Sequence, residues 1–128
     1  MTTGRSGGQD VRPLSVHSAD LDGCCHLTLR GEFDLDAVHL VRAALDDAVA
    51  RGRKHVLVDA AGVTFIDSSA LVVLLAGRAD LVASGGTLHL TDASPPVRRI
   101  LDIAMLGDLM LDSSRDELGE RPPSVDRP

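Results

Sequence analysis

Aromatic residues are nearly missing from this 128-residue chain, which has no tryptophan, no tyrosine and two phenylalanines, Phe33 and Phe65. Leu, Val, Ile and Ala must therefore fill any core, and no set of rings is present on which nucleobases would stack. Positive charge is also scarce: Lys54 is the only lysine and the net charge is −6. With no basic patch in view, direct binding to nucleic acid is not expected, and no basic amphipathic stretch suggests a membrane surface. The longest apolar run, residues 70–76, is far short of the roughly 20 residues that a spanning helix needs. No charged-then-apolar leader opens the chain, so a cytoplasmic location is expected. Cysteine is limited to the neighbours Cys24 and Cys25. On a strand these point to opposite faces, and a bond between them would strain the backbone. They offer no Cys-x-x-Cys pair, and the five histidines, His17, His26, His39, His55 and His89, share no metal-ligand spacing. Reduced cysteines packed as small apolar groups, with no metal and no cofactor, are the expectation. Arginine used almost to the exclusion of lysine, beside abundant Ala, Asp, Gly and Val, hints at a GC-rich genome.

What is present is enough for one domain: 44% of residues are hydrophobic. Residues 1–12 and 119–128 lack apolar periodicity and read as disordered ends around a folded unit at 13–118. Residues 14–17 suggest a short strand, Asp22-Gly23 a hairpin turn, and the alternation of Cys25, Leu27 and Leu29 with His26, Thr28 and Arg30 a half-buried strand. Gly31-Glu32-Phe33-Asp34 ends that strand, and Asp34 or Asp36 is placed to cap a helix over about 37–50, with Val38, Val41, Leu45, Ala48 and Val49 on one face. Residues 55–59 form a β-branched central strand. A helix over about 68–83 closes at Ser84-Gly85-Gly86, a strand follows at 87–91, and Ser94-Pro95 starts a helix whose inner stripe is Val97, Ile100, Leu101 and Ala104. Gly107 is placed as its stop, residues 109–111 as a last strand, and residues 114–118 as a final turn with Ser114 and Glu117 at capping-box spacing. The order β-β-α-β-α-β-α-β predicts an α/β fold: a single domain with a mixed, mostly parallel sheet, an antiparallel N-terminal hairpin and helices packed on the sheet.

In such sheets, sites form outside the carboxyl ends of the strands. Three loops are expected to meet there, at 31–36, 64–69 and 91–94. The middle one is the most informative stretch of the chain. Val63 to Ile66 read as the end of a strand, and Asp67-Ser68-Ser69 as a polar turn into a helix that is apolar almost all round. Asp67 or Ser68 is placed to cap the helix, and Ser69 falls in its first turn, at the positive end of the helix dipole. An exposed hydroxyl there suits a removable negative charge.

Gly31-Glu32-Phe33-Asp34, then Phe65-Ile66-Asp67-Ser68-Ser69-Ala70-Leu71, then Gly85-Gly86, then Ser94-Pro95-Pro96-Val97, in that order, resemble the STAS domain, and within it the bacterial anti-sigma factor antagonists. The resemblance spans about residues 13–118. It implies that Ser69, the second hydroxyl of the turn, is phosphorylated. The unmodified antagonist would bind an anti-sigma factor that is also a serine-protein kinase and so release a sigma factor. Phosphate would break the complex, and a serine phosphatase would restore it. Asp34 matches the loop aspartate near the partner and Asp67 the turn aspartate, and the expected partner-contact set is Asp34, Asp36, Asp67, Ser68, Ser69 and Ala70. The chain departs from the family at Ala70, where glycine is usual, and a methyl group there would hinder close approach. A non-phosphorylated STAS scaffold or ligand module in a larger signalling or transport complex is the alternative that this departure favours. The chain is expected to act as a monomer or a weak dimer.

A hydrolase would need Ser69 as nucleophile with Asp67 and a histidine such as His89, but there is no Gly-x-Ser-x-Gly elbow and His89 lies mid-strand. No Walker-type loop is present either, so the chain is not expected to be an enzyme. A phosphate on Ser69 is expected to change fold stability little and a packed interface much more.

Overall fold

The hairpin that Asp22-Gly23 predicts opens the fold: both residues have positive φ (55° and 81°), the conformation a tight two-residue turn requires. It joins β1 (Ser15–Leu21) to β2 (Cys24–Phe33), paired antiparallel from Ser15 opposite Arg30 to Leu21 opposite Cys24. The structure, a computed structural model, describes residues 12–111. Apart from Arg12, the ends expected to be disordered, the turn at 114–118 and the domain limit at 118 lie outside the described residues.

A 3-10 turn (Leu35–Ala37) leads into α1 (Val38–Ala50), followed by β3 (His55–Ile66), α2 (Ser68–Ala83), β4 (Thr87–Ala93), α3 (Pro95–Ile103) and a single-turn α4 (Gly107–Met110). The sheet order is β1-β2-β3-β4, with β2, β3 and β4 mutually parallel. This is the mixed sheet that alternating strands and helices predict.

Period-two patterning decides which face is covered. Cys25, Leu27, Leu29, Val56, Val58, Ala60, Leu88 and Leu90 are buried, while the intervening His26, Thr28, Leu57, Asp59, His89 and Thr91 keep part of their surface in water. Val41, Leu45 and Ala48 of α1 and Leu74 and Leu81 of α2 join the same core. The two helices pack closely where α2 has Gly77, since a Cβ there would come 2.5 Å from the end of Leu45. At the far end of the sheet Arg51, just past α1, donates to Asp20 of β1 (2.9 Å), and that hydrogen bond holds the Asp20 carboxyl below the usual range.

Three expectations need correction. The last strand at 109–111 is absent: residues 109 and 110 belong to α4, and only Leu111 makes a single parallel bridge, to Leu90. Gly107 does not stop α3. Met105 does, with φ of 60°, and Gly107 begins the next turn. Neither Asp34 nor Asp36 caps a helix through its side chain: Asp34 stands at the N-cap of the 3-10 turn, where its carbonyl accepts from Ala37 N–H (3.0 Å).

Candidate functional site

β2 and β3 end side by side, with Phe33 opposite Ile66. Each then turns outward, β2 into the 3-10 turn and β3 into α2. Asp67 joins the two exits. Its N–H donates to the Phe33 carbonyl (3.4 Å), and its extended backbone (φ −121°, ψ −178°) aims the side chain back over the start of α2. The carboxylate accepts the Ser69 hydroxyl (2.6 Å) and the Ala70 N–H (3.1 Å), and the backbone N–H groups of Ser69 and, from the neighbouring loop, Leu35 lie close enough to favour its charge. Of the two candidates for the cap, it is Asp67 that serves. The Ser69 hydroxyl foremost holds its carboxyl below the ordinary range; burial, next in size, opposes it, and the Ala70, Leu35 and Ser69 N–H groups add smaller lowering effects.

The serines differ. Ser68 is exposed, whereas Ser69 is half-buried and committed to Asp67, so its hydroxyl is less open than its place in the first turn predicts. Ala70 has no accessible surface at all. Its methyl packs inward, so in this structure the side chain expected among the partner contacts offers no surface of its own.

Asp34 is half-exposed and Asp36 exposed; both line a hollow of about 310 Å3 with Leu14, Glu32 and Leu40. The structure thus brings Asp34, Asp36, Asp67, Ser68 and Ser69 to one rim. It does not bring the third loop there. Residues 91–93 belong to β4, whose pairing stops at Ala60 opposite Ala93. β3 continues six residues further to Ile66, two of them taken up by bulges against β2, so β4 ends about 13 Å short of the rim at about 3.3 Å per residue. His89 is likewise mid-strand in β4, as expected.

Two apolar residues at this rim escape the sequence argument. Leu35 is 69% exposed and Val72, a turn beyond Ser68, 63%. The signal for Leu35 was its place between two aspartates ahead of the helical stripe; Val72 is hidden in a sequence apolar on every side. Among the described residues no group of three or more His, Cys, Asp or Glu could hold a metal, and no helix is long and apolar enough to cross a membrane.

Comparison with known proteins places this geometry among relatives. Residues 16–112 match the family described as "Mlab, STAS domain". An anti-sigma F factor antagonist of Paenibacillus polymyxa is 36% identical over 76% of this chain and 84% of its own. One of Lysinibacillus sphaericus is 29% identical over 74% of this chain and 82% of its own. Among solved structures, the phosphorylated form of the Bacillus cell fate determinant SpoIIAA superposes with a TM-score of 0.64 at 25% identity, covering 88% of this chain and 98% of that one. Unphosphorylated SpoIIAA gives 0.68 at 24% identity, covering 84% and 99%.

Proposed function

The chain belongs to the STAS domain family, and from that premise we propose that it is an anti-sigma factor antagonist: it binds an anti-sigma factor that is also a serine kinase, and is released when Ser69 is phosphorylated. The observation that carries this reading is the Ser69 hydroxyl in the first turn of α2, held 2.6 Å from Asp67 on the same rim as Asp34, Asp36 and Ser68. The relatives named for antagonising an anti-sigma factor support the choice of partner.

Phosphate at Ser69 would add about −1.5 to −2 charges. The helix N-terminus offsets about 0.3–1 kcal/mol of the cost. The Asp67 carboxylate, which now accepts the hydroxyl proton, would instead face a second anion. Both Ser69→Ala and Ser69→Glu remove the donor to Asp67, so each should lose about 1–2 kcal/mol of fold stability, more than the small effect expected from the sequence, which does not reveal this hydrogen bond. Only Ser69→Glu places a charge in the interface, where an unpaired buried charge costs several kcal/mol.

The test compares wild type, Ser69→Ala and Ser69→Glu for binding to the purified anti-sigma factor kinase of the host, with phosphate on the wild type mapped by mass spectrometry. Wild type and Ser69→Ala should bind, Ser69→Glu should not, and the two variants should melt within a few degrees of each other. Equal binding by all three, with no phosphate on Ser69, would overturn the switch and leave a scaffold. A serine phosphatase that restores binding after phosphorylation would complete the cycle.

A further inference from the structure

We infer that the hollow between Arg12, Arg30 and Phe65 is a second docking pocket, which takes a carboxylate-bearing segment of the same protein partner that binds the Ser69 rim; the inference rests on the partner reading above. The hollow measures about 970 Å3 and shares Pro13 and Glu32 with the smaller one at Asp34 and Asp36, so the two form one path across the end of the sheet. Phe65 on its wall is two residues upstream of Asp67 and pairs with Glu32, one step before the Phe33–Ile66 pair where the rim begins.

Two glycines open it. Gly31, opposite Val63, has φ of 106°, and a Cβ there would lie 2.5 Å from the Pro13 carbonyl oxygen. Gly62, opposite Arg30, would put one 2.9 Å from the Arg30 Cγ. Without those side chains the segment leading into β1 runs close against β2, and the stem of Arg30 lies across β3. Arg30 is exposed and, like Arg78, Arg98 and Arg99, makes no hydrogen bond or ion pair among the described residues; it is the one of these that lines the hollow. Phe65 is 48% exposed, whereas Phe33 is buried at 1%. In a chain of net charge −6, one place thus gathers the Arg30 guanidinium, a half-bare ring and the hydroxyls of Ser15 and Thr64, with the Glu32 carboxylate on the side shared with the smaller hollow.

That combination suits a carboxylate. A guanidinium fork binds one through two parallel N–H···O bonds, and an aromatic wall covers the aliphatic stem that carries it. Arginine and aromatic anchors are also the groups that most often dominate protein interfaces. The path runs from basic at Arg30, past Glu32, to acidic at Asp34 and Asp36, which gives an extended partner segment one favoured direction.

Binding to the purified anti-sigma factor kinase is measured by calorimetry at 50 and 300 mM salt for wild type, Ser69→Glu, Arg30→Glu and Arg99→Glu, the last an exposed arginine on α3 that carries the same change of charge elsewhere. A benzophenone amino acid at Thr64, with Arg30 intact, maps the partner segment in the hollow by photocrosslinking. Arg30→Glu should weaken binding about tenfold and flatten its salt dependence, while Arg99→Glu changes it less than about threefold. The crosslink should fall on a segment bearing Asp or Glu. If Ser69→Glu abolishes binding but Arg30→Glu behaves like Arg99→Glu, or the crosslink falls on a segment with no acidic residue, the pocket is overturned and the partner reading stands. If Ser69→Glu binds as well as wild type, or wild type does not bind, the partner reading fails and the pocket with it.

Discussion

Asp67 is the residue whose removal should be felt most widely at this end of the molecule. Its carboxylate caps α2 through Ala70 N–H, restrains the Ser69 hydroxyl and lies close to the N–H of Leu35 on the adjoining loop. Loss of an N-cap costs about 0.5–2 kcal/mol, and a hydrogen bond to a charged acceptor contributes about 1.5–3 kcal/mol. These share one side chain and do not add in full, so Asp67→Ala should destabilise by about 2–3 kcal/mol. That corresponds to roughly 10–15 °C in melting temperature for a domain of this size. Asp67→Asn keeps an acceptor but not the charge and should lose about 1 kcal/mol at pH 7. The pH dependence follows from the depressed carboxyl. Its stabilisation is fully present above the ordinary aspartate pKa of about 3.9 and is lost as pH falls through the lower folded value. The gap between wild type and Asp67→Asn should therefore narrow below about pH 4 and close once the carboxyl is protonated in both states. Urea unfolding at pH 7, 5 and 3, with Ser69→Ala and the double variant Asp67→Ala/Ser69→Ala, measures all of this; the cycle should give a coupling of about 1 kcal/mol. A gap that stays constant with pH, or Asp67→Ala within 0.5 kcal/mol of wild type (about the noise of such cycles), would refute the network.

Gly86→Ala should be among the most damaging single changes, since the new Cβ would overlap the Lys54 carbonyl oxygen that accepts the Thr87 N–H (2.9 Å) at the start of β4. A loss of about 3 kcal/mol or more is expected, read as a collapse of soluble yield or of melting temperature. Met105→Gly should do the opposite: Met105 holds φ of 60° at 88% exposure, and relieving that strain without losing packing should stabilise by about 0.5–1 kcal/mol in urea.

The sheet was readable because its evidence is local. Alternation in 25–30 and the continuous run at 56–58 declare one covered face, and Asp22-Gly23 declares the hairpin. What was not readable depends on where strands stop relative to one another. Nothing in Thr91-Asp92-Ala93 tells that β4 ends opposite Ala60 while β3 runs on to Ile66, and for that reason the sequence alone points the third loop to a rim it does not reach. Leu109-Met110-Leu111 is too short for periodicity to separate strand from helix, and the tertiary setting made it mostly a turn. The aspartates of 34–36 have the right chemistry for capping, but the Ala37 N–H that an Asp34 side chain would take donates to the Asp34 carbonyl instead, and both side chains line the hollow.

Ala70 tests whether the departure from the usual glycine bears on the switch or only on the fold. A methyl in the path of a kinase should slow phosphate transfer, and a methyl in the core should only add stability. Ala70 has no accessible surface, and its N–H, not its side chain, engages Asp67 (3.1 Å). Ala70→Gly gives up a buried methyl worth about 0.8 kcal/mol and part of the roughly 1 kcal/mol by which alanine exceeds glycine in a helix. The variant should therefore be less stable by about 1–1.5 kcal/mol, while the rate of phosphate transfer to Ser69 under native conditions stays within about twofold of wild type. Faster transfer with unchanged stability would mean that the methyl does meet the kinase, and that the family's glycine serves access. Slower unfolding of wild type with equal transfer would mean that this chain has exchanged a permissive residue for a stabilising one at no cost to its rim.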